Sequence, residues 1–176
     1  MDTKARILDA AEEFVQTKGL NGFSYLHLAD ALDIKTSSIH YHFKTKAALA
    51  LALVERLHDR HVAAFRDLDK NVNDPRKRLK RLVDLFQDYV REERFCLCGM
   101  MSAEMESTSP EVKAMLQTYF RALQLWISSQ FRELGRKDPA TAALQFVSAL
   151  EGSLLLARLN GNPKLVQRVV GPLVAG

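Results

Sequence analysis

Proline placement divides this chain into helical segments more clearly than any other feature of the sequence. Four of the five prolines directly follow Asp, Ser or Asn, in the pairs Asp74-Pro75, Ser109-Pro110, Asp138-Pro139 and Asn162-Pro163. Such residues accept hydrogen bonds from the unpaired N–H groups of a helix N-terminus, and proline at the first helical position loses no bond there. We therefore predict four helix starts at these positions.

Between these starts, apolar residues recur every three or four positions, which is typical of helices with one buried face. Gly135 and Gly161 follow two of these runs and predict C-terminal caps. Because no segment alternates convincingly with a period of two, we expect an all-α fold with about nine helices. The helices are expected to be short up to residue 45 and long afterwards, which predicts one domain over residues 1–45 and a second over residues 46–176.

Composition and motifs exclude several classes of protein. The net charge of +4 permits a nucleic-acid partner without requiring one. Charges interrupt the first residues, unlike a signal peptide, and no apolar segment approaches the length of a membrane span, so a cytoplasmic protein without membrane contact is expected. Catalytic and cofactor-binding motifs are not found, and His58 and His61 are explained as helix-surface histidines. We therefore expect no enzyme, no cofactor and no metal site.

Two short helices are predicted over residues 24–43. Ser24 is the expected N-cap of the first, whose apolar face includes Leu28 and Leu32. A tight turn then leads into a second helix from Thr36 to Phe43. This arrangement matches the helix-turn-helix of DNA-binding proteins, and the pattern alone also fits a structural helical corner with a polar outer face.

The second of these helices can be oriented from its sequence. Ile39 and Phe43 are apolar and four residues apart, so they point inward; at about 100° per residue, Ser37 and Tyr41 then face outward. Small hydroxyl groups permit close approach to base edges, and Lys46 begins a helix whose N-terminal amides favour a phosphate. The candidate DNA-binding residues are Ser24, Tyr25, His27, Lys35, Thr36, Ser37, Ser38, His40, Tyr41, His42 and Lys46.

The segment TKARILDAAEEFVQTKGLNGFSYLHLADALDIKTSSIHYHFKTKAAL resembles the DNA-binding domain of the TetR family of repressors. The resemblance covers residues 3–50 and includes the ILDAA opening, the glycine after the first helix, the aromatic and histidine cluster ending in Phe43, and Lys46. It implies a repressor that binds a palindromic double-stranded DNA operator as a homodimer. It also implies a small-molecule effector that releases the protein from DNA.

Three positions depart from the usual family pattern. Asp33 stands where a turn glycine is usual, although the left-handed conformation is more costly for Asp than for Gly. Lys35 replaces the usual Ser or Thr cap of the second helix, so either Thr36 caps it or the helix begins one residue later. His40 replaces a common phosphate-contacting Tyr, with Tyr41 beside it. These differences predict an unusual DNA sequence preference but no loss of DNA binding.

The stretch FCLCGMMSAEME, residues 95–106, resembles a motif of a TetR subgroup that includes regulators sensing electrophiles and oxidants. Cys96 belongs to the Cys-Leu pair of that motif, and Cys98 is an additional thiol. The resemblance suggests a sensing role for Cys96, and nearby Arg91 and Arg94 would favour its thiolate. The alternative is that both cysteines are ordinary buried residues.

Aromatic and methionine side chains of the second domain could line a malleable effector pocket, although ordinary core packing explains any single one of them. The candidate ligand and sensor residues are Cys96, Cys98, Phe86, Tyr89, Met100, Met101, Tyr119 and Trp126. The basic run RKRLKR, residues 76–81, is interpreted as a solvated helix face, with an anion-attracting rim as the alternative.

The last two helices combine small residues with leucines and valines, which gives them more apolar surface than docking onto one chain needs. The family resemblance implies that they pair with their counterparts from a second copy as a four-helix bundle. The candidate dimer-interface residues are Leu144, Val147, Gly152, Leu155, Val166, Val169 and Val170.

Overall fold

The computed structural model describes residues 2–175, and within them it contains nine α-helices, one short 3₁₀ helix and no strand. This confirms the expected all-α fold. The helices are α1 Thr3–Lys18, α2 Tyr25–Leu32, α3 Thr36–His42, α4 Lys46–Asn71, α5 Pro75–Arg91, α6 Leu97–Ala103, the 3₁₀ helix Met105–Ser107, α7 Pro110–Glu133, α8 Pro139–Leu159 and α9 Lys164–Ala175.

Proline begins three helices as predicted. Pro75, Pro110 and Pro139 start α5, α7 and α8, and in each case the side chain just before the proline accepts a bond from a first-turn N–H. The fourth prediction is wrong by one residue, because α9 begins at Lys164. The cap still works there, since the Asn162 side chain accepts a bond from the Lys164 N–H.

Glycines end α7 and α8. Gly135 and Gly161 have φ values of 76° and 58°, in the left-handed region where a residue with a Cβ is strained. Each N–H donates to a carbonyl three residues earlier. The predicted C-terminal caps are therefore confirmed.

The chain forms two compact units. The first combines the residues up to Asp59 with Leu97–Thr118, and within it α1 contacts α2, α3 and α6. Arg56 of α4 pairs with Asp9 and Glu12 of α1 at 2.7 and 2.8 Å, which fixes the two helices against each other. The core of this unit includes Ile7, Ala11, Val15, Leu28, Ile39, Leu49 and Leu53, none of which is exposed.

The second unit combines Arg60–Cys96 with the residues from Tyr119 onward, and α9 packs against α5 and α8. A buried cation, Arg78, joins α5 to α7. Its Nη1 donates to Gln130 at 2.9 Å and to Glu133 at 3.0 Å, and its Nε donates to the carbonyl of Val72 at 2.6 Å. A buried charge is costly unless paired, so these bonds explain how an arginine is held in this core.

The compact units and the expected functional domains divide the chain differently. α4 runs from residue 46 to residue 71 and contributes residues to both units. The division between residues 45 and 46 therefore stays a prediction about function, distinct from these structural units.

α8 corrects one expectation from the sequence. Pro139–Leu159 is long and apolar enough to span a membrane by length and composition, with a mean hydropathy of 1.4 in its most apolar stretch. Its apolar residues lie both in the core of the second unit and on an exposed face: Phe146 and Leu150 are buried, whereas Leu155 and Leu159 are exposed. Two apolar faces on one helix produce this hydropathy, and the second face is the extra apolar surface expected of the last two helices.

Candidate nucleic-acid interface and sensor residues

The N-terminus of α2 is closed by a reciprocal pair of hydrogen bonds between Ser24 and His27. The Ser24 hydroxyl accepts from the His27 backbone N–H at 3.5 Å, and the His27 Nδ1 accepts from the Ser24 N–H at 3.1 Å. This capping box satisfies two N–H groups that the helix itself leaves unpaired. The predicted N-cap is confirmed. Ser24 and His27 therefore stabilise the start of α2, in addition to any contact that they make with DNA.

The turn after α2 accommodates Asp33 in the left-handed conformation, with φ 52° and ψ 52°. The Ile34 N–H donates to the Ala29 carbonyl at 3.0 Å, which reverses the chain before α3 begins. Arg6 of α1 donates to the Leu32 carbonyl at 2.9 Å and so fixes the C-terminal end of α2. Asp at this position therefore preserves the turn for which the family usually has glycine.

α3 has the orientation predicted from its sequence. Ile39 and Phe43 are 0% and 3% exposed, whereas Tyr41 is 83% exposed, and Ser37 is also exposed on the outward face. Lys35 occupies the N-cap position and makes no side-chain cap bond. The prediction that Thr36 caps α3 is wrong, because Thr36 is the first residue inside the helix and Lys35 holds the cap position.

The remaining candidates around α3 fall into two groups. Lys35, His40 and the adjoining Lys44 are exposed, whereas the other α3 candidates are half-buried: Thr36, Ser38 and His42. The Tyr25 ring meets the His40 ring edge-on, with centroids 4.8 Å apart. The Tyr25 hydroxyl is buried, and burial raises the pKa of Tyr25 to about 12. Tyr25 therefore packs against the His40 ring with its hydroxyl away from solvent.

Lys46 has a structural environment that the sequence did not reveal. Its Nζ donates to the Phe23 carbonyl and lies 4.5 Å from the centre of the Phe23 ring. Burial lowers the pKa of Lys46, and the nearby Glu104 carboxylate offsets part of this effect. The Glu104 carboxylate also accepts from the Asn21 N–H at 3.1 Å. Lys46 thus ties the start of α4 to the loop before α2.

The cap of α4 was also missed. Thr45 accepts from the Ala48 N–H at 3.1 Å, which makes it the N-cap of α4. A Thr directly before a predicted helix is a recognised cap signal, so Thr45 could have been found from the sequence.

Aromatic residues surround His61 in the core of the second unit. Its Nδ1 lies 3.1 Å from the Tyr119 hydroxyl, and its ring centre lies 5.8 Å from that of Phe86. His61 is 3% exposed, so its interpretation as a surface histidine is wrong: it continues the apolar face of α4. Phe65 stacks on Trp126 with ring centres 4.5 Å apart.

The candidate pocket residues are distributed over both units. Phe86, Tyr119 and Trp126 are buried in the second unit, and Tyr89 is half-buried with its ring edge against Phe86. The Trp126 Nε1 donates to the Asp69 carboxylate at 3.1 Å. Met100 and Met101 belong to α6 of the first unit, where Met101 is buried.

Cys96 and Cys98 are both buried and form no disulfide. The two arginines expected to favour the Cys96 thiolate pair with acids instead: Arg91 with Asp88 at 2.6 Å, and Arg94 with Glu92. Glu151 of α8 has both carboxyl oxygens buried and is one titratable neighbour of Cys96. Burial raises the pKa of Glu151 to about 7, and a hydrogen bond from the Cys96 thiol offsets part of that rise.

The exposed apolar surface of α8 and α9 corrects the candidate dimer interface. Val147 of α8 is 5% exposed, and Val166 and Val170 of α9 are 0% exposed, because α9 packs against α5 and α8 of its own chain. They are unavailable to a second copy, and this part of the prediction is wrong. Gly152 is exposed with open space around it, and exposed aliphatic side chains extend the same surface: Leu144, Leu155, Leu156, Leu159 and Val169.

The basic run at the start of α5 divides between core and surface. Arg78 turns inward to Glu133, whereas Arg76, Lys77 and Lys80 line an open groove of about 220 Å³ between α5 and α9. The sides of this groove include Val83 and other apolar groups. Within the described residues, no three His, Cys, Asp or Glu side chains are arranged to hold a metal ion.

A capped two-helix element that presents a polar face, followed by a larger helical part, defines a helix-turn-helix transcriptional regulator. Residues 7–53 match the family described as bacterial regulatory proteins, tetR family. Residues 75–171 match the C-terminal domain of LmrA/YxaF-like transcriptional regulators. The chain belongs to the TetR family and is a transcriptional regulator, not an enzyme.

Similar proteins cover nearly the whole chain. A TetR transcriptional regulator from Legionella pneumophila superposes with a TM-score of 0.93 at 30% identity, covering 98% of this chain and 96% of its own. The HTH-type regulator in the lacX 3′ region of Lactococcus lactis is 24% identical over 90% of this chain and 84% of its own length. Escherichia coli UidR is 23% identical, covering 88% of this chain and 76% of its own.

Proposed function

We propose that this protein is a cytoplasmic repressor that binds a palindromic operator as a homodimer and releases it on a small-molecule or electrophile signal. The observation that carries this proposal is the outward face of α3. Tyr41 is 83% exposed while Ile39, two residues earlier, is not exposed at all. Among the aromatic rings of the described residues, the Tyr41 ring meets only the edge of the neighbouring His42 ring, and most of its surface faces solvent, which favours a role in binding.

The chemistry of this face suits a DNA groove. Ser37 and Tyr41 offer hydroxyl groups that can donate to or accept from base edges. Lys35 and Lys44 are exposed at the two ends of α3, and no acidic residue lies between Ile34 and Lys46. Base contacts by the hydroxyls and phosphate contacts by the lysines therefore form the proposed interface.

A homodimer would cover the exposed leucines of α8. Leu155 and Leu159 are 57% and 79% exposed, and Gly152 beside them permits close approach of another helix. Contiguous exposed apolar surface of this kind marks interfaces between proteins. Two-fold pairing through α8 would present two α3 helices to half-sites about 34 Å apart on a palindrome.

The second unit supplies the proposed sensor. The buried aromatic side chains around His61, together with Cys96, give it groups that a small molecule could contact or modify. A ligand that binds only the DNA-free conformation lowers operator affinity by population shift.

Fluorescence anisotropy on a DNA fragment from upstream of the protein's own gene tests the DNA interface. Tyr41→Ala is expected to weaken binding about tenfold to a hundredfold, the usual range for one base contact. Lys35→Ala and Lys44→Ala should each reduce the slope of log affinity against log salt by about one.

The control is Lys137→Ala, which removes an exposed lysine that is distant in sequence from α3. Its affinity and salt slope should match those of the unmodified protein. If the three α3 variants bind the fragment like the unmodified protein and the Lys137→Ala control, the assignment of α3 to DNA is refuted.

A further inference from the structure

The basic run at the start of α5 contains cations that the fold does not neutralise. Arg76, Lys77 and Lys80 are exposed on the groove between α5 and α9, and none of them forms an ion pair with another described residue. Arg78, in the same run, is buried and pairs with Glu133 at 3.0 Å. The chain therefore pairs the cation that it buries and leaves the groove cations available to a ligand.

These cations stand where a helix least favours them. The N-terminus of a helix carries a partial positive charge, and like charges four residues apart, such as Arg76 and Lys80, repel each other. No acid lies between Asp74 and Asp84, and the Asp74 carboxylate already accepts from the Arg76 N–H at 2.9 Å. The opposite wall of the groove, α9, contains no Asp or Glu. The groove thus has charge of one sign, which is maintained at a cost to the helix.

Below its basic rim the groove is lined by apolar groups. Val83 of α5 is 1% exposed, and α9 contributes Gly171, Val174 and Ala175. Gln167 is the uncharged polar residue of the lining. Both helices belong to the second unit. An apolar base under a cationic rim complements a molecule that has an alkyl chain and an anionic head group.

The size and shape of the groove select among such molecules. Its volume of about 220 Å³ is below the range of about 300–1,000 Å³ that is usual for drug-sized ligands, so it suits a single chain better than a ring system or a protein helix. A nucleic acid would gain nothing from the apolar base, and a flat bilayer would not reach Val83. Arg136 donates to the Leu173 carbonyl at 3.0 Å and thereby fixes the end of α9. The wall is therefore formed before any ligand binds.

We propose that the groove between α5 and α9 binds a medium-chain aliphatic carboxylate. The alkyl chain lies between Val83 and Val174, and the carboxylate accepts hydrogen bonds from the cations of the rim, which are stronger than bonds between neutral groups. None of the aromatic residues around His61 lines this groove. The site is thus separate from the proposed sensor core, and it does not depend on operator binding.

Isothermal titration calorimetry of the unmodified protein with decanoate at neutral pH tests the proposal. Affinity should rise about fourfold for each methylene from hexanoate to decanoate, because each buried methylene adds to the binding free energy. Decyltrimethylammonium, which has the same chain and the opposite charge, should not bind. Lys80→Glu should weaken decanoate binding about tenfold, since it replaces an attraction at the rim by a repulsion.

The matched control is Arg121→Glu, which changes the net charge by the same amount at an exposed position of α7 outside the groove. It should bind decanoate like the unmodified protein. Decanoate that carries a diazirine on its chain locates the site independently, because irradiation should attach it to Lys164–Ala175, the segment of α9. Circular dichroism confirms that both variants are folded.

Four results would overturn the proposal. Undiminished binding to Lys80→Glu would place decanoate elsewhere, and equal weakening in Arg121→Glu would reduce the effect to overall charge. Attachment of the probe only to α4 or α7 would assign decanoate to the aromatic core. Weaker dimerisation of Lys80→Glu without weaker decanoate binding would show that a second copy covers the groove. No DNA is present in these experiments, so failure of the proposed operator binding would leave their results unchanged.

Discussion

The exposed leucines of α8 give a quantitative prediction for assembly. Full burial of a leucine side chain contributes about 2 kcal/mol, and Leu155 and Leu159 leave 57% and 79% of their surface exposed. Covering them should therefore contribute about 1 and 1.5 kcal/mol in each copy. Because a two-fold interface contains each residue twice, the pair accounts for about 5 kcal/mol of association free energy.

The double variant Leu155→Ala/Leu159→Ala removes most of this contribution, because only the Cβ atoms remain. We expect the dimer dissociation constant to rise by about a thousandfold, which corresponds to roughly 4 kcal/mol. Sedimentation velocity from nanomolar to 100 μM protein measures this change. Operator binding should weaken in parallel, although α3 is untouched.

Leu125→Ala provides the control for assembly. Leu125 is 62% exposed, which matches Leu155, but it lies on α7. Its loss should change the dissociation constant by less than threefold. An equal effect of Leu125→Ala, or a double variant that still dimerises like the unmodified protein, would refute the assignment of the interface to α8.

Two further predictions concern stability. Asp33→Gly should raise the free energy of unfolding by about 0.5–1 kcal/mol in urea, since glycine adopts the left-handed conformation without strain; a loss of stability would show that the Asp33 side chain is needed. The pKa of Glu151 is raised from 4.5 to about 7, so the folded state retains its proton longer than the unfolded chain. Protonation of Glu151 therefore contributes up to about 3 kcal/mol to the free energy of unfolding. This contribution is fully present below pH 4.5 and is lost as the pH rises through 7. The unfolding temperature of the Glu151→Gln variant should therefore lack this part of the pH dependence. An identical pH dependence of the unfolding temperature in both proteins would contradict the prediction.

The sequence predicted the local features of the fold well because they depend on residues close together in the chain. Capping by Ser24 and Asp74 requires only the next two or three residues, and the orientation of α3 follows from the spacing of Ile39 and Phe43. The left-handed turn at Asp33 was likewise expected from the sequence.

The sequence did not predict the tertiary contacts, because these depend on which distant part of the chain covers each residue. Periodicity showed that Val166 and Val170 belong to an apolar face, but α5 and α8 of the same chain cover that face. The contact of Lys46 with the carbonyl and ring of Phe23 could not be predicted from local sequence, because Phe23 lies 23 residues away; the phosphate contact of Lys46 stays a prediction. Cys96 and Glu151 are 55 positions apart, and no local motif connects them.

Site-directed DNA cleavage shows directly whether α3 enters the groove of the operator. In a variant with both cysteines replaced by serine, Ser37→Cys carries an iron chelate on the outward face of α3, and the DNA is the fragment from upstream of the protein's own gene. We expect two cleavage clusters about one helical turn apart, one in each half-site. A chelate on Lys137→Cys should not produce them. Absence of cleavage from position 37 on DNA that the protein still binds, or the same pattern from both positions, would contradict the claim that α3 enters the groove.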